Sequence, residues 1–172
     1  MAAAIAASRL IAWQGRAWRG HGRGYPAADP GGSRKYSGRY HQAQDLFPPD
    51  EVWAALYLAL GHDIALGEMV RHTSGARLNE LRFTEFRVEL EAVLDGRDAT
   101  ILGLVPEDLW HDTDFSIPRG LAAAIAHGAE GMLVPSATRL GNNLILFPDR
   151  LRPTHRLIEL GHVDPELRIP RP

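Results

Sequence analysis

The stretch GMLVPSATRLGNNLILFP, residues 131–148, decides how this chain folds. An apolar run (Met132, Leu133, Val134) stops at Pro135 and leaves Ser136 among small residues. A second apolar run follows at once, behind a Gly141-Asn142-Asn143 turn. Two buried strands joined by a tight, polar tip account for that pattern. The tip is either a decorated hairpin end or the place where a strand delivers the Ser136 hydroxyl to a cleft.

Working outward, the surrounding segments predict a mixture of strands and helices. TEFRVELEAV (84–93) alternates at period two, as a half-buried strand does. ATILGLV (99–105) reads as a second strand or its continuation, and THRLIEL (154–160) as a last one. HDIALGEMVRHTSG (62–75) reads as a helix with Asp63 as its N-cap, Arg71 and His72 in its last turn, and Gly75 as its stop. PRGLAAAIAHG (118–128) is a second helix, with Pro near its start and Gly at its end. PPDEVWAALYLALG (48–61) is open between helix and buried strand. GHGRGYPAADPGGSRKYSGRY (20–40) is too rich in Gly and Pro for one regular element and reads as a long shaped loop. The expectation is an α+β fold, a single domain over 1–172 with its core at about 14–160. Residues 1–12 would form a leader or short helix, and 161–172 a tail.

Composition narrows the function. With 172 residues, 45% of them hydrophobic, a true core is available. There is no cysteine, which removes disulfides and thiolate metal sites. The eight histidines show no metal-ligand spacing. A formal net charge of −2 gives no overall attraction to nucleic acid or membrane, and no apolar run reaches the ~20 residues of a membrane span. The charge is unevenly placed. Residues 14–41 carry Arg16, Arg19, Arg23, Arg34, Lys35 and Arg39 against Asp29 alone, while 80–114 carry ten acidic groups against three arginines. Each block is either a solvated face or a surface for an oppositely charged ligand or partner.

Three polar residues occupy apolar or tightly turned settings: Arg19 in AWRGHG, Glu68 in IALGEMV, and Ser136 in VPSA. On a helix, Glu68 shares a face with Ile64 and Ala65, a costly place for a carboxylate without partners. It either reaches water at an edge, pairs with Arg71, or serves a site. Arg19 either stacks on Trp18 or offers a planar fork to a phosphate or carboxylate, and Arg39 has the same two readings. Ser136 lacks a G-x-S-x-G elbow and is no acyl-transfer nucleophile.

Taken in order, these fragments resemble the RES-domain family, toxins of bacterial toxin–antitoxin pairs named for an arginine, a glutamate and a serine. AWRGHGRGYPAADPGGSRKYSGRYH resembles the family's opening arginine and its small-Gly-Arg-aromatic turn. ALYLALGHDIALGEMVRH resembles its Leu-Tyr strand and glutamate-bearing helix. GAEGMLVPSATRLGNNLILFP resembles its Pro-Ser-Ala and Asn-Leu strand. One departure is Tyr40-His41, where the pattern has Trp-Asn. The resemblance implies an ADP-ribosyltransferase-like fold, a mixed sheet core with flanking helices. It implies cleavage of NAD at the nicotinamide–ribose bond, with inorganic phosphate, water or a protein side chain as acceptor and no prosthetic group. It also implies a cytoplasmic toxin, a homodimer or a hetero-oligomer with an Xre-type helix-turn-helix antitoxin.

Carried onto this sequence, Arg19, Glu68 and Ser136 take the catalytic places, and Arg39, Tyr40, Tyr57 and Asn143 the NAD-binding ones. The chemistry suits them. Arginines hold a pyrophosphate, a carboxylate stabilises an oxocarbenium-like ribose, a tyrosine face stacks on nicotinamide, and a serine or asparagine bonds ribose, amide or phosphate. Competing expectations are ADP-ribosyl transfer to a protein, a non-catalytic nucleotide- or protein-binding module, and a plain structural subunit.

Overall fold

The protein is described by a computed structural model over residues 1–73, 78–110, 114–121, 124 and 127–165. Its helices are α1 (Ala2–Ala7), α2 (Gly31–Lys35), α3 (His62–Thr73), α4 (Pro106–Trp110) and α5 (Ser116–Gly120). Its strands are β1 (Ile11–Gly22), β2 (Leu56–Ala59), β3 (Leu81–Asp95), β4 (Gly131–Pro135), β5 (Asn142–Leu146) and β6 (Arg156–Val163). The α+β mixture expected from the sequence is what forms, a mixed sheet with helices beside it.

The strand pairings close on themselves. β1 pairs with β2, β2 with β5, β5 with β4, β4 with β3, and β3 with β1; β6 adds to β3 from outside. All pairs are antiparallel except β3 with β4. Period-two alternation then sends one set of side chains inward. Leu56, Leu58, Leu133, Leu144, Leu146, Phe86 and Val88 form an inner cluster. The alternate residues Met132, Val134, Ile145 and Leu94 face outward, against Ile5, Leu102, Leu109 and Leu121. Each such leucine, wholly withdrawn from water, contributes roughly 2 kcal/mol. A third cluster seats α3, through Ile64 and Ala65, on Ala59, Leu81 and Phe83.

The hairpin of the opening stretch forms. Leu133 lies opposite Leu144, Val134 opposite Asn143 and Pro135 opposite Asn142. The ambiguous 48–61 segment resolves into a 3₁₀ turn at Pro49–Glu51 followed by β2. The 84–93 strand extends at both ends, and the last strand runs over Arg156–Val163, into the expected tail. The helix expected from Asp63 begins at His62; its stop at Gly75 lies outside the described residues, as do 122, 123, 125 and 126 of the helix expected at 118–128. That helix starts earlier, at Ser116.

Two expectations are corrected. ATILGLV is not a strand: Ala99–Leu102 is a 3₁₀ turn. Asp98 caps it by accepting the Thr100 N–H, and Gly103 closes it at φ 71°. The second correction is β1. Its first two residues fall in the expected leader, 13–19 have no element assigned, and 20–22 fall in the expected loop. In fact Ile11–Gly22 pairs with β3 along nearly its whole length. Its glycines are sites of close approach. A Cβ on Gly20 would lie 2.4 Å from Met69 Cγ, so glycine is what lets α3 settle on the strand.

One buried charge ties the sheet together. Glu130, 0% exposed, accepts the backbone N–H groups of Glu91 (2.8 Å) and Ala92 (2.9 Å) with one oxygen, and that of Arg152 (2.9 Å) with the other. Glu130→Ala strips three backbone donors, that of buried Ala92 among them, of their acceptor. We expect a loss of about 3 kcal/mol or more in chemical denaturation. A loss below about 1 kcal/mol would show that water replaces the carboxylate without difficulty.

Candidate functional site

A cavity of about 710 Å³ opens where β1, β2, α3 and the segment 32–41 meet. Arg19, Arg39, Tyr40, Tyr57, Glu68 and Asn143 all line it. These residues are scattered over more than 120 positions of sequence and reach one space because the strand ring brings β1, β2 and β5 side by side.

Glu68 sits on the inward face of α3, one turn after Ile64, with its side chain 17% exposed. The hairpin answers its charge. The Ser136 hydroxyl donates to Glu68 Oε1 at 2.6 Å, and Asn143 Nδ2 donates to the same oxygen at 3.0 Å. His72 Nε2 stands 4.0 Å from Oε2, one turn further along the helix. Ser136 is 0% exposed, so its hydroxyl meets Glu68 rather than open cavity. Because that proton is spent on Glu68, the 2.7 Å contact between Ser136 Oγ and Thr138 Oγ1 makes Thr138 the donor. The Leu140 N–H donates in turn to Thr138 Oγ1 at 3.3 Å. The chain Leu140, Thr138, Ser136, Glu68 thus points every proton the same way. Arg71 Nη1 donates to the Ala137 carbonyl at 2.7 Å and ties α3 to the hairpin tip. Asn143 Oδ1 is buried without a protein partner among the described residues.

The basic segment sorts itself by position. Arg16 pairs with Glu85 at 3.2 Å, Arg23 with Asp164 at 3.4 Å and Arg34 with Asp149 at 2.5 Å. Arg19 and Arg39 reach backbone carbonyls instead. Arg19 Nη1 donates to Ala27 O, and its Nη2 to Asp29 O at 2.9 Å. Arg39 Nη1 donates to Leu109 O at 2.8 Å, with its guanidinium 4.9 Å from the centre of the Phe115 ring. Burial lowers Arg19 to about 10, against the opposing pull of Asp29, and lowers Arg39 as well. Arg71 lines the same cavity, so three guanidinium groups share its wall with one carboxylate, Glu68. Four acidic groups of the 80–114 block meet arginines: besides Glu85, Glu89 meets Arg156 at 3.4 Å, Glu91 meets Arg152 at 3.3 Å and Asp95 meets Arg97 at 2.6 Å.

The two tyrosines differ. Tyr57 is half-buried and accepts the Tyr40 N–H at 2.9 Å. Tyr40 is 2% exposed and belongs to the outer core cluster, its hydroxyl unpartnered among the described residues. Burial raises the phenol of each. The two rings lie 6.3 Å apart at 39°. Sequence reasoning missed Thr138 and His72 as neighbours of Glu68, and His41 beside Tyr57. For the first two the signal was legible, as a Ser-x-Thr turn and a Glu-His pair spaced i,i+4. Among the described residues no cluster of His, Asp and Glu could hold a metal, and no helix is long and apolar enough to cross a membrane.

Since the Arg19 fork grips the carbonyls of Ala27 and Asp29, it holds the 23–30 loop against the cavity. Arg19→Ala should free that loop, and limited trypsinolysis after Arg23 should accelerate about fivefold or more, the effect of losing roughly 1 kcal/mol of local stability. An unchanged cleavage rate in a folded variant would count against the clamp.

A chain of the crystal structure of the M. tuberculosis MbcT–MbcA toxin–antitoxin complex shares this architecture. The TM-score is 0.77 at 24% identity, over 95% of this chain and 91% of that one. No curated protein matches the chain. A family model described as the RES domain matches residues 16–170. With all but the first fifteen and last two residues matched, the chain belongs to the RES domain family.

Proposed function

We propose that this protein is an NAD-degrading toxin that breaks the nicotinamide–ribose bond and passes the ADP-ribosyl group to inorganic phosphate or water. The observation that carries the reading is the Glu68 carboxylate, fixed by Ser136 and Asn143 on one oxygen and set in the wall of a cavity that also holds Arg19 and Arg39. Rupture of that bond releases a neutral pyridine, so the leaving group needs no acid. The ribose is left with oxocarbenium character, and a preorganised carboxylate stabilises it more than it stabilises the ground state. Both Ser136 and Asn143 bind Oε1, which leaves Oε2 for ribose hydroxyls or the cation. Arg19 and Arg39 supply the charge for a pyrophosphate and the Tyr57 ring a face for nicotinamide, and Asn143, on the same wall, holds the carboxylate in place.

Membership of the RES domain family and the likeness to a toxin–antitoxin complex support the regulatory half of the proposal. In it, a helix-turn-helix antitoxin holds the toxin inactive in the cytoplasm, where NAD is available.

The test is incubation of the purified protein with NAD, with and without phosphate, followed by mass spectrometry. Phosphate-dependent ADP-ribose-1″-phosphate, or ADP-ribose in its absence, is the expected product. Intact NAD, or label transferred to protein, would replace the reading with a binding module or a protein-modifying transferase. Arg19→Ala, Glu68→Ala and Ser136→Ala should each slow NAD loss at least tenfold, equivalent to roughly 1.4 kcal/mol of transition-state stabilisation. Glu68→Ala should be the most severe, since Ser136→Ala leaves the Asn143 bond in place. Wild-type rates in all three folded variants would remove the site.

A further inference from the structure

His41 stands behind Tyr57, and its two ring nitrogens have different neighbours. Nε2 lies 2.7 Å from the Tyr36 carbonyl oxygen, which can only accept, so Nε2 carries a proton. In the neutral ring Nδ1 is then a lone pair, 2.9 Å from the Tyr57 hydroxyl. That hydroxyl already accepts the Tyr40 N–H at 2.9 Å, so its own proton goes to Nδ1. For the neutral ring, a single arrangement satisfies every group.

The segment resting on this pair is a tight turn. The Gly38 N–H donates to His41 O at 3.3 Å, and Arg119 Nε donates to Gly38 O at 3.1 Å. A Cβ on Gly38 would lie 2.4 Å from His41 Cε1, 2.8 Å from Nδ1 and 3.0 Å from the Tyr57 hydroxyl oxygen, so the backbone is laid directly onto the bonded pair. Arg39 and Tyr40 are the two residues at the bend, and both line the cavity.

We propose that His41 is a positioning residue: its neutral Nε2–H form takes the Tyr57 proton, turns the phenol oxygen toward the Tyr40 N–H, and so sets the 38–41 turn that carries Arg39 into the cavity. The consequence for an anionic nucleotide is affinity rather than bond cleavage, and this part rests on the NAD reading above.

The arrangement is sensitive to acid. Burial pulls His41 below its ordinary value; the Tyr36 carbonyl opposes this, Arg119 adds to it and Asp45 opposes it, with Arg39 and the Tyr57 and Tyr40 phenols as the other polar neighbours. Protonation would put a second N–H on the Tyr57 oxygen and take away the acceptor of its hydroxyl, which must then turn elsewhere. Because the folded value is lowered, the lock is complete above the ordinary histidine range and is lost as pH falls through the folded value.

The first measurement is long-range proton–nitrogen NMR on the labelled full chain without nucleotide. We expect His41 as the Nε2–H tautomer, and an Nδ1–H tautomer overturns the proposal whatever the protein does to NAD. The second is steady-state NAD consumption. His41→Ala should raise KM about fivefold, the worth of one hydrogen bond, with kcat changed less. His41→Asn, whose Oδ1 can accept the Tyr57 proton, should restore KM to within about twofold and flatten the rise of KM in acid. An unchanged KM in His41→Ala, or a fall confined to kcat, overturns the assignment. Where the wild type leaves NAD intact, the NAD reading fails and the tautomer still decides the role of His41. Where His41→Ala does not fold, the tautomer and His41→Asn decide it.

Discussion

A carboxylate set into a protein wall is tolerable only where donors are already waiting for it. Glu68 meets that condition through two donors at one oxygen, and both come from the same hairpin. Val134 opposite Asn143 is the pairing that turns the asparagine outward, and the Ser136 N–H to Gly141 O bond of 2.8 Å closes the tip behind it. A slip of one residue in that register would send Asn143 into the leucine-filled interior and take the serine away from α3. The sheet's register is therefore also the geometry of the carboxylate. The cavity, the arginines and the tyrosines are arranged around a charge that the hairpin fixes.

The same economy governs the cations. Arg16, Arg23 and Arg34 face outward and find carboxylates on neighbouring elements, so they add little to any field inside the cavity. Arg19 donates to the carbonyls of Ala27 and Asp29 and Arg39 to that of Leu109, contacts that orient each guanidinium on the cavity wall. A chain close to neutral overall thus keeps a concentrated positive potential in one place, where low-dielectric walls make it strong.

Much of this was legible in the residues. The hairpin, α3 and β3 announced themselves by period, and Glu68 by its place on an apolar helical face. Ser136 stood out for its position after a strand-ending proline, although its hydroxyl proved to be turned toward another side chain. β1 was hidden because Gly15, Gly20, Gly22 and two arginines imitate a loop; its strand character comes from β3, far away in sequence. The 99–105 run misled in the other direction, since β-branched residues at strand spacing are overruled by the Asp98 cap and the Gly103 turn. His41 was marked in the sequence only as part of the Tyr40-His41 departure from the family pattern, with no role attached. Its neighbours Tyr36 and Tyr57 lie on different elements, and only the folded chain brings their oxygens to its two nitrogens.

The ring of strands is uneven in a way that bears on traffic through the cavity. Where β1 and β3 run together along most of their length, β1 and β2 share one rung, Trp18 opposite Ala59, and that rung borders the cavity. Backbone seams part first where the fewest bonds hold them. The thinnest backbone seam of the sheet thus lies beside its charged chamber, where a local opening costs the fewest backbone bonds.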